Sequence, residues 1–296
     1  MSRPASASTL ADASAVVLVD AHAHIHSCFE PGRLLDAAAA HFAIAGARLA
    51  PGAAVTGVLL LTESAGDDAF GALAARAGRG PDPALGGWAV TAGADEISLT
   101  LQRAGRSLVL VAGRQVACRE DLEVLMLGTT QRMEDGGPIA EALERAREWG
   151  ALRVIPWGAG KWFFARGRLL TELVAQADPT DFFLGDEGGR PVFWPTPRHF
   201  AVAARYGVRV LPGTDPLPFP DETHRAGGFG AALRGRLDAA RPGASLLALL
   251  RNRSTVLTPY GGLETPLRFV RHQIGMQLRK RRRKQAARVA LAPAGR

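Results

Sequence analysis

Short apolar runs recur along the chain at Val16–Val19, Val55–Leu61, Trp88–Ala92, Leu108–Val111, Val124–Leu127, Val154–Trp157, Asp181–Leu184 and Val208–Leu211. Most are followed by Gly or polar residues and then by a helix-like segment, a pattern that predicts strands alternating with helices. Helices are expected over Arg33–Ala45, where apolar residues recur at helical spacing, and over Gly137–Trp149, with Glu141, Glu144 and Arg145 on its polar face. A further helix, Arg198–Tyr206, is entered through Pro195 and Pro197. The Pro- and Gly-dense stretches Gly78–Gly87 and Pro212–Gly230 read as loops. Seven or eight strand–helix units imply an α/β fold of parallel strands closed into a (β/α)7–8 TIM-like barrel. The loops after its strands are where such a barrel keeps its chemistry.

With 296 residues, 47% of them hydrophobic, the chain can bury one full core. The expected organisation is a disordered leader over 1–15, a barrel over 16–266 and a basic C-terminal tail over 267–296. Cys28 and Cys118 are too few to staple a fold of this size, which fits a reducing, cytoplasmic setting without a disulfide. The leader lacks the apolar core of a secretory signal, and no run is long enough to span a bilayer. The formal charge of +8 is concentrated at the end of the chain. Arg268, Arg271, Arg279, Lys280, Arg281, Arg282, Arg283, Lys284 and Arg288 account for it, and the rest of the sequence is close to neutral. This segment reads as a basic amphipathic helix suited to an anionic membrane surface or to nucleic-acid phosphates, or else as a solvated tail. Aromatic residues are sparse in it, which gives single-strand stacking little support.

The sharpest chemical signal is Val-Leu-Val-Asp-Ala-His-Ala-His-Ile-His, residues 17–26. Alternate side chains of a strand share a face, so His22, His24 and by extension His26 can converge at the strand's C-terminal end. Imidazoles there suit a divalent transition metal such as zinc, manganese or iron. The competing reading is a capping His beside solvated ones. Residues 210–216, Val-Leu-Pro-Gly-Thr-Asp-Pro, deliver Asp215 to the same mouth, where a carboxylate can ligate a metal or take a proton, or simply precede a proline in a turn. Lys161, in Gly-Ala-Gly-Lys-Trp, can meet an anionic substrate such as a phosphate, although the segment lacks the pattern of a phosphate-cradling P-loop. Trp157, Trp162, Phe163 and Phe164 can floor a pocket or pack in the core.

The order of these segments resembles the polymerase-and-histidinol-phosphatase (PHP) family. Asp-Ala-His-Ala-His with Ser27 resembles its first motif, and Gly-Thr-Asp-Pro-Leu (213–217) its closing Gly-Ser-Asp-x-His. Between them Leu-Leu-Leu-Thr-Glu-Ser (59–64) stands where the family has Thr-Asp-His, and Gly-Arg-Gln-Val (113–116) where it has Gly-x-Glu-Ile. Leu-Glu-Val-Leu-Met-Leu-Gly (122–128) is similar to the family's Glu-Val-His-Leu-Leu-Gly. The resemblance runs from about Val16 to Leu217 and implies a metal-dependent phosphoesterase. His22, His24 and Asp215 keep the family's ligand types, whereas Ser64, Leu125 and Leu217 replace a His and Gln115 replaces a Glu. Three retained ligands do not hold a trinuclear cluster, but they suffice for one ion with Gln115 as a weak neutral donor. Glu63, Asp186 and Glu187 stand after strands and are further candidate ligands or solvated carboxylates.

Two functions follow. The first is a metal-dependent hydrolase of a small phosphorylated or polar substrate. In it His22, His24, Asp215, Gln115 and Glu63 hold the ion that activates water, Asp215 steers the proton and Lys161 neutralises the leaving anion. The related amidohydrolases share the opening His-x-His and closing Asp, but they need further His, Lys or Glu that Val154–Trp157 and Phe182–Gly185 lack. The second is a catalytically silent barrel that binds a ligand or serves as an assembly protein, the reading that loss of several ligands favours.

Overall fold

The computed structural model of the chain describes residue 10 and residues 13–290. Its strands are β1 (Ala15–Ala23), β2 (Ala54–Leu61), β3 (Pro81–Asp82), β4 (Trp88–Ala92), β5 (Ser98–Arg103), β6 (Arg106–Val111), β7 (Gly113–Ala117), β8 (Glu123–Leu127), β9 (Leu152–Pro156), β10 (Phe182–Glu187), β11 (Arg209–Gly213), β12 (Phe229–Arg234) and β13 (Thr258–Gly261). The helices are α1 (Pro31–Leu49), α2 (Ala69–Ala74), α3 (Ile139–Glu148), α4 (Phe164–Gln176), α5 (Arg198–Arg205), α6 (Pro242–Arg251) and α7 (Pro266–Ala290).

The strands form two mixed sheets and not the expected closed barrel of parallel strands. One has the order β13-β12-β1-β2-β6-β5-β4-β3 and the other β11-β10-β9-β8-β7. Among the described strands β1–β2, β2–β6, β9–β10 and β10–β11 pair in parallel, and the other pairings are antiparallel. The expectation failed where antiparallel hairpins stand in place of crossover helices. Between β5 and β6 the whole connection is Ala104-Gly105, both at positive φ (46° and 76°), the backbone of a two-residue hairpin turn. Alanine at the first position hides that turn from a sequence reading tuned to Asn-Gly. β7 pairs antiparallel with β8, and β12 closes antiparallel on β1. The Pro212–Gly230 stretch, expected as loop, holds a 3-10 turn at Pro220–Arg225 and ends inside β12.

The sheets nevertheless enclose a shared apolar interior. Val17, Val19, Val58, Leu60 and Val111 of the first sheet meet Leu125, Leu127, Val154, Phe183 and Leu211 of the second, with Leu246, Leu247 and Leu250 of α6 packed against them. α1 covers the first sheet through Leu34, Leu35, Ala38 and Phe42, and α3, α4 and α5 cover the second through Leu143, Leu170 and Ala203. At two seams backbone hydrogen bonds join the sheets. Asp215 N–H donates to His22 O at 2.7 Å, and Gln115 N–H donates to Glu63 O at 2.9 Å. The first seam needs glycine: a Cβ on Gly213 would lie 2.2 Å from the His22 backbone nitrogen. Leu10 is buried in the α1-facing core, while most of the expected leader lies outside the described residues.

Candidate metal centre

β1 carries the site, and an irregularity in its pairing with β2 between Asp20 and Ala23 sets the aim of its side chains. Val17, Val19 and Ala21 face the shared interior, whereas Ala23 packs on the α1 side. Strict alternation would have sent Ala23 inward. The break instead turns His22 and His24 toward the mouth of the interior, where both are buried. Asp20 falls on the other side and becomes a tie between strands. Its carboxylate accepts from Thr214 N–H (2.8 Å), Thr214 Oγ1 (2.5 Å) and Gly227 N–H (2.9 Å). That tie fixes the segment bearing Asp215, which itself sits at φ 43°, a strained backbone for a residue other than glycine.

Four donor atoms converge. His22 Nε2 lies 3.1 Å from His24 Nε2, 3.0 Å from Gln115 Oε1 and 3.5 Å from Asp215 Oδ1. His24 Nε2 is 3.4 Å from the same Asp215 oxygen. An ion about 2.0–2.1 Å from each of four tetrahedral ligands would set their mutual spacing at roughly 3.3 Å. The observed distances bracket that value, so His22, His24 and Asp215 fit a divalent transition ion, with Gln115 at hand as a neutral oxygen. Thr62 Oγ1, just past β2, donates to Ala23 O and also lies 3.3 Å from His24 Nε2.

Glu187, the last residue of β10, places Oε1 3.5 Å from His22 Nδ1, a buried nitrogen that makes no hydrogen bond. A carboxylate behind the far nitrogen of a ligating imidazole fixes its tautomer and orientation. Burial and the neighbouring Asp215 push the Glu187 carboxyl up to about 8. Burial disfavours charge on His22, but Asp215 and Glu187 outweigh it and raise the imidazole to about 9 in the metal-free chain. Asp215 is held below the usual carboxylate range: burial opposes this, but the charges of His22 and His24 prevail.

The other expected residues divide. Lys161 Nζ pairs with Glu123 Oε2 at 2.5 Å; against the cost of burial, Glu123 together with Glu187 and Asp215 raises its ammonium above the ordinary value, so a fixed positive charge stands beside the site. Glu63 does not join the donor cluster. It binds Arg114 Nη1 at 2.7 Å and accepts from Phe70 N–H at 2.7 Å. Asp186 is committed to Arg190 through both its oxygens. His26 stacks on His24 and reaches Pro216 O at 2.9 Å, and burial lowers it to about 4. Leu125 packs in the shared interior opposite Gln115. Glu187's inward position was readable, because it follows the interior residue Phe183 by four along one strand; Glu123's pairing with Lys161 carried no local signal.

No family model matches the chain, and no curated protein matches it. Two solved structures share its fold. PsfC from Pseudomonas syringae PB-5123 aligns at a TM-score of 0.52 and 14% identity over 88% of this chain and 98% of its own. The lesion-specific endonuclease PfuEndoQ from Pyrococcus furiosus aligns at 0.51 and 12% identity, over 83% of this chain and 59% of its own.

Proposed function

We propose that this chain is a metal-dependent hydrolase of a phosphoester bond. The observation that carries the reading is the convergence of His22 Nε2, His24 Nε2 and Asp215 Oδ1 at ligand-edge spacing. A divalent ion held there would supply Lewis acidity toward a phosphoryl oxygen. The chain's own groups do the rest. Lys161 offers a cationic charge to an anionic substrate, anchored by Glu123. Glu187, behind His22 Nδ1, is a positioning residue that orients the ligating ring. The bond class is further supported by the endonuclease among the structural neighbours, since an endonuclease cleaves phosphodiesters.

The test is hydrolysis of bis-p-nitrophenyl phosphate and p-nitrophenyl phosphate by chelator-treated protein, given manganese or zinc, with His22→Ala as control. Turnover that needs added metal and drops at least about a hundredfold in His22→Ala is expected. Turnover equal in both proteins, or absent with every metal, contradicts the reading. Leu125, an apolar residue where the PHP resemblance places a His, favours the alternative of a catalytically silent binding protein. Stoichiometric metal without turnover on either ester is the outcome that selects it.

A further inference from the structure

α7 meets the body with one face and leaves an apolar stripe on the other. His272 and Arg268 reach Glu222 at 3.2 and 2.6 Å, and Arg279 Nη1 donates to Pro218 O at 2.9 Å. Gly275 lies so close to Phe219 that a Cβ would sit 2.8 Å from its ring. On the opposite side Leu267, Val270, Ile274 and Leu278 are all exposed, Leu267 at 83%. At about 100° per residue these four positions fall within roughly 80° of the helix circumference. The helix is therefore not a simple amphipath lying on the body: its apolar residues are split, with this stripe turned outward.

A second exposed apolar patch lies on the loops beside the metal centre, joined to α7 through Phe269, which stands about 100° around the helix from the nearest residue of the stripe. Phe269 of α7 packs against Phe193 and Trp194 with ring centroids 6.0 and 6.3 Å apart. Trp194 contacts Phe163, and Phe163 contacts Phe164. Phe164 is 85% exposed and holds φ at 54°. A strained backbone that presents a bare phenyl ring to solvent has no packing explanation. Phe163 and Phe164 follow β9, and Val192 and Phe193 follow β10, so this aromatic shoulder stands at the strand ends that carry Lys161 and Glu187.

Charge identifies the occupant. No Asp or Glu follows Glu264 in the sequence, and Lys280 to Lys284 are uninterrupted Lys and Arg. Arg281 is exposed in line with the stripe, and Arg271 is exposed beside it in an ion pair with Asp221. We propose that α7 and the Phe163–Phe164 and Val192–Phe193 loops dock this protein on the surface of a bilayer containing anionic lipid. The apolar stripe would enter the headgroup boundary and the flanking cations would meet lipid phosphates. Nucleic acid fits the charge and can stack on Phe163, Phe164 and Phe193, but it leaves the Leu267, Val270, Ile274 and Leu278 stripe uncovered, because those side chains offer no π-face to a base. The proposal is independent of the hydrolase reading.

The experiment is co-sedimentation of the full chain with phosphatidylcholine vesicles, with and without phosphatidylserine. Two variants accompany it: Ile274→Gln with Leu278→Gln, and Phe163→Ser with Phe164→Ser. Binding to the phosphatidylserine vesicles, weakened by salt, is expected, and each variant should partition at least about tenfold less while keeping the wild-type circular dichroism. Absence of binding to anionic vesicles, or equal partition of both variants, overturns the proposal. So does a result in which the variants lose binding to a single-stranded oligonucleotide, or lose self-association in light scattering, while vesicles bind neither them nor the wild type.

Discussion

The Nε2 atoms of His22 and His24 face each other 3.1 Å apart in a buried setting. Two bare imidazole lone pairs at that distance repel, so a proton or a cation has to lie between them. In the metal-free chain the proton is favoured, since Asp215 and Glu187 raise His22 to about 9.

Metal uptake therefore displaces protons. At pH 7 His22 is charged in the metal-free chain and Glu187, raised to about 8, is largely protonated, whereas a ligating His22 is neutral with an ionised Glu187 behind it, so about one to two protons should leave per ion bound. Calorimetry in buffers of different ionisation enthalpy should show that release, and apparent affinity should weaken at least about tenfold per unit as pH falls below 9. Affinity that does not change with pH would mean that His22 is not a ligand. The same raised value means that the metal-free chain draws stability from His22 below about 6.5 and loses it as pH rises through 9.

Gly213 sets the distance between the strands that share the ion. Gly213→Ala should push β11 away from His22, since its Cβ would meet the backbone nitrogen at 2.2 Å. Lowered thermal stability together with metal affinity at least about tenfold weaker is expected, measured by a melt and a competitive metal titration. An unchanged affinity would place the control of site geometry elsewhere.

The buried ion cluster under α7 predicts an acid limit. Glu222 is buried, and against the cost of that burial His272, Arg225 and Arg268 lower its carboxyl to about 2. A lowered folded value stabilises fully above the unfolded value near 4.5, and the contribution is lost as pH falls from there toward 2. Glu222→Ala leaves Arg225, Arg268 and His272 with Glu264 as their remaining carboxylate in the cluster and should cost about 1–3 kcal/mol at pH 7 in denaturant unfolding, with a flatter acid limb than wild type. A loss below about 1 kcal/mol would show that α7 is not held through this cluster.

How far the sequence disclosed this depends on how local each signal is. All eight apolar runs lie in or overlap strands, and Arg33–Ala45, Gly137–Trp149 and Arg198–Tyr206 overlap α1, α3 and α5. Their pairing was not legible. Antiparallel β5 (Ser-Leu-Thr-Leu-Gln-Arg) and β7 (Gly-Arg-Gln-Val-Ala) carry no run of apolar residues longer than two, and β12 is interrupted by Gly230, so the apolar runs alone imply parallel strands whose true partners lie elsewhere. Spacing along β1 gave His22 and His24, yet their inward aim comes from a pairing irregularity with β2 that no residue of β1 announces. Glu63 follows its strand as a ligand would and is instead captured by Arg114, a partner fixed only once β7 lies beside β2.

Metal analysis tests the central claim most directly. The full chain, stripped with chelator, given zinc or manganese and desalted, is compared with His22→Ala/His24→Ala and with Asp215→Ala by mass spectrometry of the elements. About one ion per wild-type chain, and less than about a tenth of that in either variant, is the predicted result. Equal metal in all three proteins, or none in the wild type, would contradict a shared cation at His22, His24 and Asp215.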